Sequence, residues 1–82
     1  MKKGDRVVAI HSANQESVKI FGFGFYDGEI EHPDLGVPNA RITLDNGDVV
    51  WGCECWWGPE DKVMKSIAGR VVVEVKASRD QA

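Results

Sequence analysis

Asn46-Gly47 stands between two runs in which apolar and polar residues alternate. That dipeptide suits a two-residue type I′ turn, because both central positions need φ > 0. Folding the chain there sets Leu44 opposite Val49, Ile42 opposite Trp51 and Ala40 opposite Cys53. One face then gathers Ala40, Ile42, Leu44, Val49, Trp51 and Cys53. The other takes Arg41, Thr43, Asp45, Asp48, Val50 and Gly52. Turn chemistry and period-two alternation agree, so a β-hairpin is predicted, with Trp51 and Cys53 inside.

Arg6 to Ile10 reads as a first strand with Val8 and Ile10 on one face, and Arg70 to Lys76 as a last one with Val71, Val73 and Val75 inward. Before that last strand, Gly58-Pro59-Glu60-Asp61 opens a short helix: proline suits its first position, and acids suit the positive end of its dipole. Val63 and Ile67 share one side of it, and Gly69 stops it. Ser17 to Glu31 is less simple. A regular strand would put Phe21, Phe23 and Phe25 on one face and continue that face into Asp27, Glu29 and Glu31. A β-bulge near Phe25 to Gly28 removes the conflict; a tight turn at Asp27-Gly28 removes it equally well.

The resulting order is strand, loop, long glycine-rich strand, hairpin, short helix, strand. It resembles the SH3-like small barrels, including KOW- and Tudor-like domains. The resemblance rests on Gly4-Asp5-Arg6-Val7-Val8-Ala9-Ile10, on Tyr26-Asp27-Gly28-Glu29-Ile30, on the Asn-Gly hairpin and on the helical turn before the last strand. It implies a mostly β fold: a five-stranded barrel over residues 1–76. Residues 77–82 are polar and unpatterned, and are expected to form a flexible tail. As a stand-alone barrel the chain also resembles orphan proteins of bacterial mobile elements.

With 82 residues the chain suits one domain with a thin core. Met1-Lys2-Lys3 is basic, but no apolar stretch follows, so neither a signal peptide nor a membrane span is expected. A cytoplasmic setting with two free thiols is the expectation. Charge is uneven: residues 27–61 carry nine acids against one base, Arg41. So acidic a middle repels a phosphate backbone and disfavours nucleic acid as a partner.

Four groups could carry chemistry. Cys53 and Cys55 would emerge on one face of a strand, and zinc could add His11 and His32. Structural zinc sites space their cysteines more widely, so neither metal nor cofactor is expected. Asp27, Glu29 and Glu31 would form a solvated acidic edge rather than a cation loop. Trp56 and Trp57 would point to opposite faces, which suits one of them as a protein-binding anchor. Finally, Gly22-Phe23-Gly24-Phe25 resembles the RNA-binding strand of cold-shock domains and, in part, the first ribonucleoprotein motif of RRM domains. That resemblance implies base stacking on Phe23 and Phe25. Phe21 stands where those families carry a basic residue, and Tyr26 where they carry an aliphatic one. The other reading is that the glycines let the phenylalanines pack across a curved sheet.

No nucleophile elbow, phosphate loop or HExxH motif is present. The expected function is a non-enzymatic binding module. It would engage a protein, or its own copy, through a surface drawn from Phe23, Phe25, Tyr26, Trp56 and Trp57. Single-stranded nucleic-acid binding through Phe23 and Phe25 is the alternative, and an enzyme with a site between subunits a third. No membrane partner is expected.

Overall fold

β-Branched and aromatic residues fill Arg6–Ala13 (β1) and Ser17–Glu31 (β2), and the two strands pair antiparallel. Asn14 closes the turn between them: its side-chain oxygen accepts the N–H groups of Glu16 and Ser17, both at 2.8 Å. The computed structural model describes residues 1–76, so the expected tail over 77–82 lies outside the described residues.

The β1–β2 register runs from Arg6 against Phe25 to Ala9 against Gly22, then Ile10 against Ile20, then Ser12 against Lys19. Phe21 is therefore an extra residue in β2, and His11 an extra residue in β1. Gly22, beside the first bulge, has φ +146°. Phe21 leaves the face shared by Phe23 and Phe25, so the expected row of three rings is not formed.

Pro38–Leu44 (β3) lies on the other flank of β2. Tyr26 faces Ile42 and Glu29 faces Ala40, which leaves Asp27 and Gly28 opposite Arg41 alone. This bulge, with Gly28 at φ +96°, decides between the two readings of the segment. β2 is continuous, and its change of face comes from one inserted residue.

The hairpin is present, but one residue out of the expected register. Val49–Trp51 (β4) pairs Val49 with Thr43, Val50 with Ile42 and Trp51 with Arg41. Leu44 N–H donates to the Asp48 carbonyl at 2.7 Å and Gly47 N–H to the Leu44 carbonyl at 2.9 Å. The loop thus has three residues, Asp45-Asn46-Gly47, and only Gly47 takes positive φ (+94°). This is a type I turn closed by a glycine, not the I′ turn. Val50 rather than Val49 consequently joins Ile42 in the core. Trp51 crosses to the opposite face and is buried there by other neighbours.

After a turn over residues 52–55 the chain forms Trp56–Pro59 (β5), antiparallel to β1. Pro59 then caps the helix Glu60–Ser66 (α1), which has Glu60 and Asp61 in its first turn and Lys65 in its last. Gly69, at φ +88°, turns the chain back, and Val71–Glu74 (β6) runs parallel to the start of β2. The strand order is β4-β3-β2-β1-β5, with β6 added to β2.

Among the described residues the chain is mostly β with one short helix before the last strand, as expected, but has six strands rather than five. Among the described residues no ladder joins β4 to β5, so the sheet is not closed into a barrel. β4 stops after three residues, and a turn replaces the pairing that would close it. Trp57 bridges part of the gap. A Cβ added to Gly52 would lie 2.7 Å from the Trp57 indole nitrogen and 3.0 Å from Ala40 Cβ, so that glycine lets the indole settle.

Both sheet faces are covered, which explains why Val7, Val8 and Ala9 are all fully buried in succession. Val7, Ala9, Tyr26, Ala40, Ile42, Leu44 and Val50 cluster on one face, with Phe21, Cys55 and Trp57 against them. Val8, Val18, Ile20 and Ile67 cluster on the other, with Ile10, Phe23 and Val63. The last strand departs most from expectation. Val71 and Val73 are exposed rather than inward, because β6 is added at an edge where no other described strand joins it. No described helix is long and apolar enough to cross a membrane.

Candidate functional site

Pairing decides which aromatic residues can meet a ligand. β5 sets Trp57 beside Ala9 and Trp56 beside Ile10, so the two indoles leave the strand on opposite faces. Trp57 turns into the core and stacks on Tyr26, with ring centroids 5.3 Å apart and planes 13° apart. Tyr26 is buried, and its hydroxyl donates to Glu29 at 2.9 Å. That bond, with burial, raises the phenol above its ordinary pKa. The stacked pair is part of the packing on that face of the sheet, with Tyr26 buried and Trp57 partly buried.

Trp56 is the reverse. It is 79% exposed, the most exposed large apolar side chain among the described residues. It forms one wall of a cleft of about 260 Å³ lined by Ile10, His11, Ser12 and Ala13. The bulge at His11 shapes that cleft by carrying the imidazole out of the ladder and onto Phe21, edge to face at 5.3 Å. A larger, more open hollow of about 590 Å³ lies by Met1, Asp5, Arg6, Pro59, Glu60 and Asp61.

Phe23 is half-buried against the cluster of Val8, Val18, Ile20 and Ile67. Phe25 is exposed, yet its ring is already occupied: the Arg6 guanidinium lies 4.6 Å from the ring centroid. Arg6 is fixed in turn by Asp45, at 2.7 and 3.0 Å, and by Glu60 at 3.2 Å. Hydrogen bonding to Asp45 drives the guanidinium pKa upward, and the same bond holds the Asp45 carboxyl below its ordinary range.

The acidic row is split by the bulge. Asp27 accepts hydrogen bonds from Arg41 Nε at 3.0 Å and Thr43 Oγ1 at 2.5 Å, whereas Glu29 serves Tyr26. The three carboxylates therefore do not form one surface.

The cysteines occupy the turn before β5 and not a strand. Cys53 is exposed rather than packed opposite Ala40; it is Gly52 whose N–H reaches the Ala40 carbonyl, at 2.8 Å. Cys55 packs against the core instead. Burial, with the nearby charges of Glu54 and Cys53, pushes its thiol up to about 11. At neutral pH a thiol so shifted is protonated, which makes it a poor nucleophile.

Of the four residues that zinc could draw on by sequence, the structure brings two together, Cys53 and His32, and adds Glu54, which the sequence reading did not name. His32, Cys53 and Glu54 place ligand-type atoms within 4.8 Å of one another. His32 is 2% exposed, its ring lies 4.6 Å from that of Trp51, and its Nε2 sits 3.5 Å from Glu54 without a hydrogen bond. The other ring nitrogen decides the chemistry. Asp34 N–H donates to Nδ1 at 3.0 Å, so in the neutral ring the proton resides on Nε2. Metal-bound histidines show the opposite arrangement, with the second nitrogen donating outward. As placed, His32 is a structural partner for Trp51 that directs an N–H toward a carboxylate. No local spacing announces the group, because the loop after β2 and the turn before β5 meet only through the fold.

Comparison of the chain with protein-family models, with curated proteins and with solved structures finds no match.

Proposed function

We propose that this chain is a non-enzymatic binding module that engages an apolar segment of a protein partner through Trp56 and the adjoining cleft. The exposure of Trp56 carries the reading. Covering an indole that open removes on the order of 150 Å² from water, or roughly 4 kcal/mol before the costs of association. Tryptophans of this kind dominate protein interfaces. Among the five candidate residues, Trp56 is exposed and lines a cleft, whereas Tyr26 is buried and Trp57 is partly buried against it. The order β4-β3-β2-β1-β5 supports reading the frame as an SH3-like barrel left open between β4 and β5.

Stacking of unpaired bases on Phe23 and Phe25 draws less support. Phe23 is packed against the core, and Arg6 covers Phe25. Selection of peptides from a displayed library, followed by chemical-shift mapping, tests the proposal. Selected peptides should perturb Ile10, His11 and the Trp56 indole N–H. They should bind Trp56→Ala roughly tenfold or more weakly. Ligands that bind Trp56→Ala normally, or oligonucleotides whose binding is lost on Phe25→Ala in a folded variant, would sink it.

A further inference from the structure

Among the described residues the outer edge of β6 is open. There the strand pairs with β2 on one side only, and Val71, Val72 and Val73 are 64%, 40% and 43% exposed. An unprotected edge carrying consecutive valines is what soluble proteins ordinarily suppress with lysine, proline or a covering element.

Parity identifies the backbone groups left free. The N–H groups of Val71 and Val75 donate to the carbonyls of Glu16 and Ile20, at 2.9 and 2.8 Å, and so face β2. Alternate residues of a strand face the same neighbour, so Val73 faces β2 as well. The N–H and C=O groups of Val72 and Glu74 therefore point to the open edge, as does the Arg70 carbonyl. Arg70 N–H is held by Ile67, at 3.1 Å.

We propose that this edge pairs antiparallel with the same edge of a second copy, with Val72 opposite Val72 and Arg70 opposite Glu74. Charge complementarity selects both the occupant and the register. In a two-fold antiparallel pair, outward-facing residues must meet outward-facing residues, which leaves few alignments. Centring on Val73 sets Arg70 against Lys76, and centring on Glu74 sets that carboxylate against its own copy. Centring on Val72 instead gives an Arg70–Glu74 pair at each end, with Val71 against Val73 between them. Opposite charges facing across strands stabilise a pair, and like charges destabilise it. The strand is short, so the buried area falls below the ~1,200–2,000 Å² of stable interfaces. The dimer is accordingly weak and concentration-dependent. β6 lies on the flank of β2 away from β1, whereas Trp56 is on β5 beyond β1, so this surface is separate from the cleft.

Sedimentation equilibrium of the full chain between about 0.01 and 1 mM tests the pairing, that range bracketing the affinities a small interface supports. The natural chain should dimerise within it. Arg70→Glu and Glu74→Arg should each weaken the dimer roughly tenfold or more, and the double exchange should restore it. Val72→Pro should abolish it, since proline is tolerated where an edge N–H faces outward. Circular dichroism confirms that each variant is folded, and the charge exchanges decide the matter should the proline variant unfold. A monomer throughout the range overturns the proposal. So does a dimer indifferent to both charge reversals, or one lost only on Trp56→Ala.

Discussion

His11 and Phe21 are the unpaired residues of two opposed bulges, and their rings meet edge to face with centroids 5.3 Å apart. Each bulge alone would shift the pairing of β1 with β2 by one residue, and together they cancel. A double-mutant cycle of His11→Ala and Phe21→Ala should return a coupling of about 0.5–1.5 kcal/mol, as for other aromatic pairs. Equilibrium urea denaturation measures it. A coupling of zero would show that the rings are neighbours without being partners.

Gly24→Ala should prevent folding or come close to it. A Cβ there would run into the Thr43 carbonyl oxygen and lie 2.8 Å from Leu44 Cα, backbone atoms that cannot move aside. Gly47→Ala meets no atom within 4 Å and strains only φ, so it should cost about 1–2 kcal/mol. The ratio of the two effects, read from thermal or chemical denaturation, checks the β2–β3 contact.

Trp51→Ala should cost about 3–5 kcal/mol, most of the stability of a domain this small. The cause is its packing on His32 outside the main cluster, so His32→Ala should be strongly non-additive with it. An unchanged melting midpoint for Trp51→Ala would show the indole to be surface.

Asp45 ionises more readily in the folded protein than in the unfolded chain, through its hydrogen bonds to Arg6. Its contribution to stability is therefore complete above the ordinary carboxylate pKa and is lost as pH falls through the depressed folded value. The stability gap between the natural chain and Asp45→Asn should be constant from about pH 7 to 5 and should close below about pH 4. Both side chains are half-exposed, so the gap should be small and salt-sensitive. A gap that persists at low pH would assign the effect to packing.

Zinc content tests the assignment of the His32 proton. Chain purified without chelator should carry less than about a tenth of an equivalent, because the ring nitrogen facing Cys53 and Glu54 is the protonated one. A full equivalent, lost on Cys53→Ser, would mean that Asp34 releases Nδ1 and the imidazole turns its lone pair to the metal.

Local pattern revealed most of the elements and fewer of their partners. Asn46-Gly47 marked the hairpin correctly, but the same dipeptide serves a two-residue I′ loop and a three-residue loop ending in glycine. The choice between them moved Val49 and Val50 to opposite faces. Trp51 stayed buried in spite of the shifted register, because His32 arrives from a loop distant in sequence. The parity conflict along β2 announced the Asp27–Gly28 bulge, since only an inserted residue lets apolar and acidic positions share a strand. Nothing local could show that Cys53 and Cys55 occupy a turn, or that Trp56 meets Ile10, since both follow from β5 returning to β1. The alternating valines near the end suggested one buried face, as a central strand would have. Whether a strand is central or peripheral is a property of the assembled sheet.

The parallel pairing of β6 with β2 also orders events in time. Val71 meets Ser17 only after every element from β2 through α1 has been made, and separations this long slow folding. During synthesis the flank of β2 that carries Val18 and Ile20 must wait, its amides unpaired, while the strands between are laid down. Newly made chains are thus most vulnerable to mispairing along β2, and it is β6 that ends that exposure.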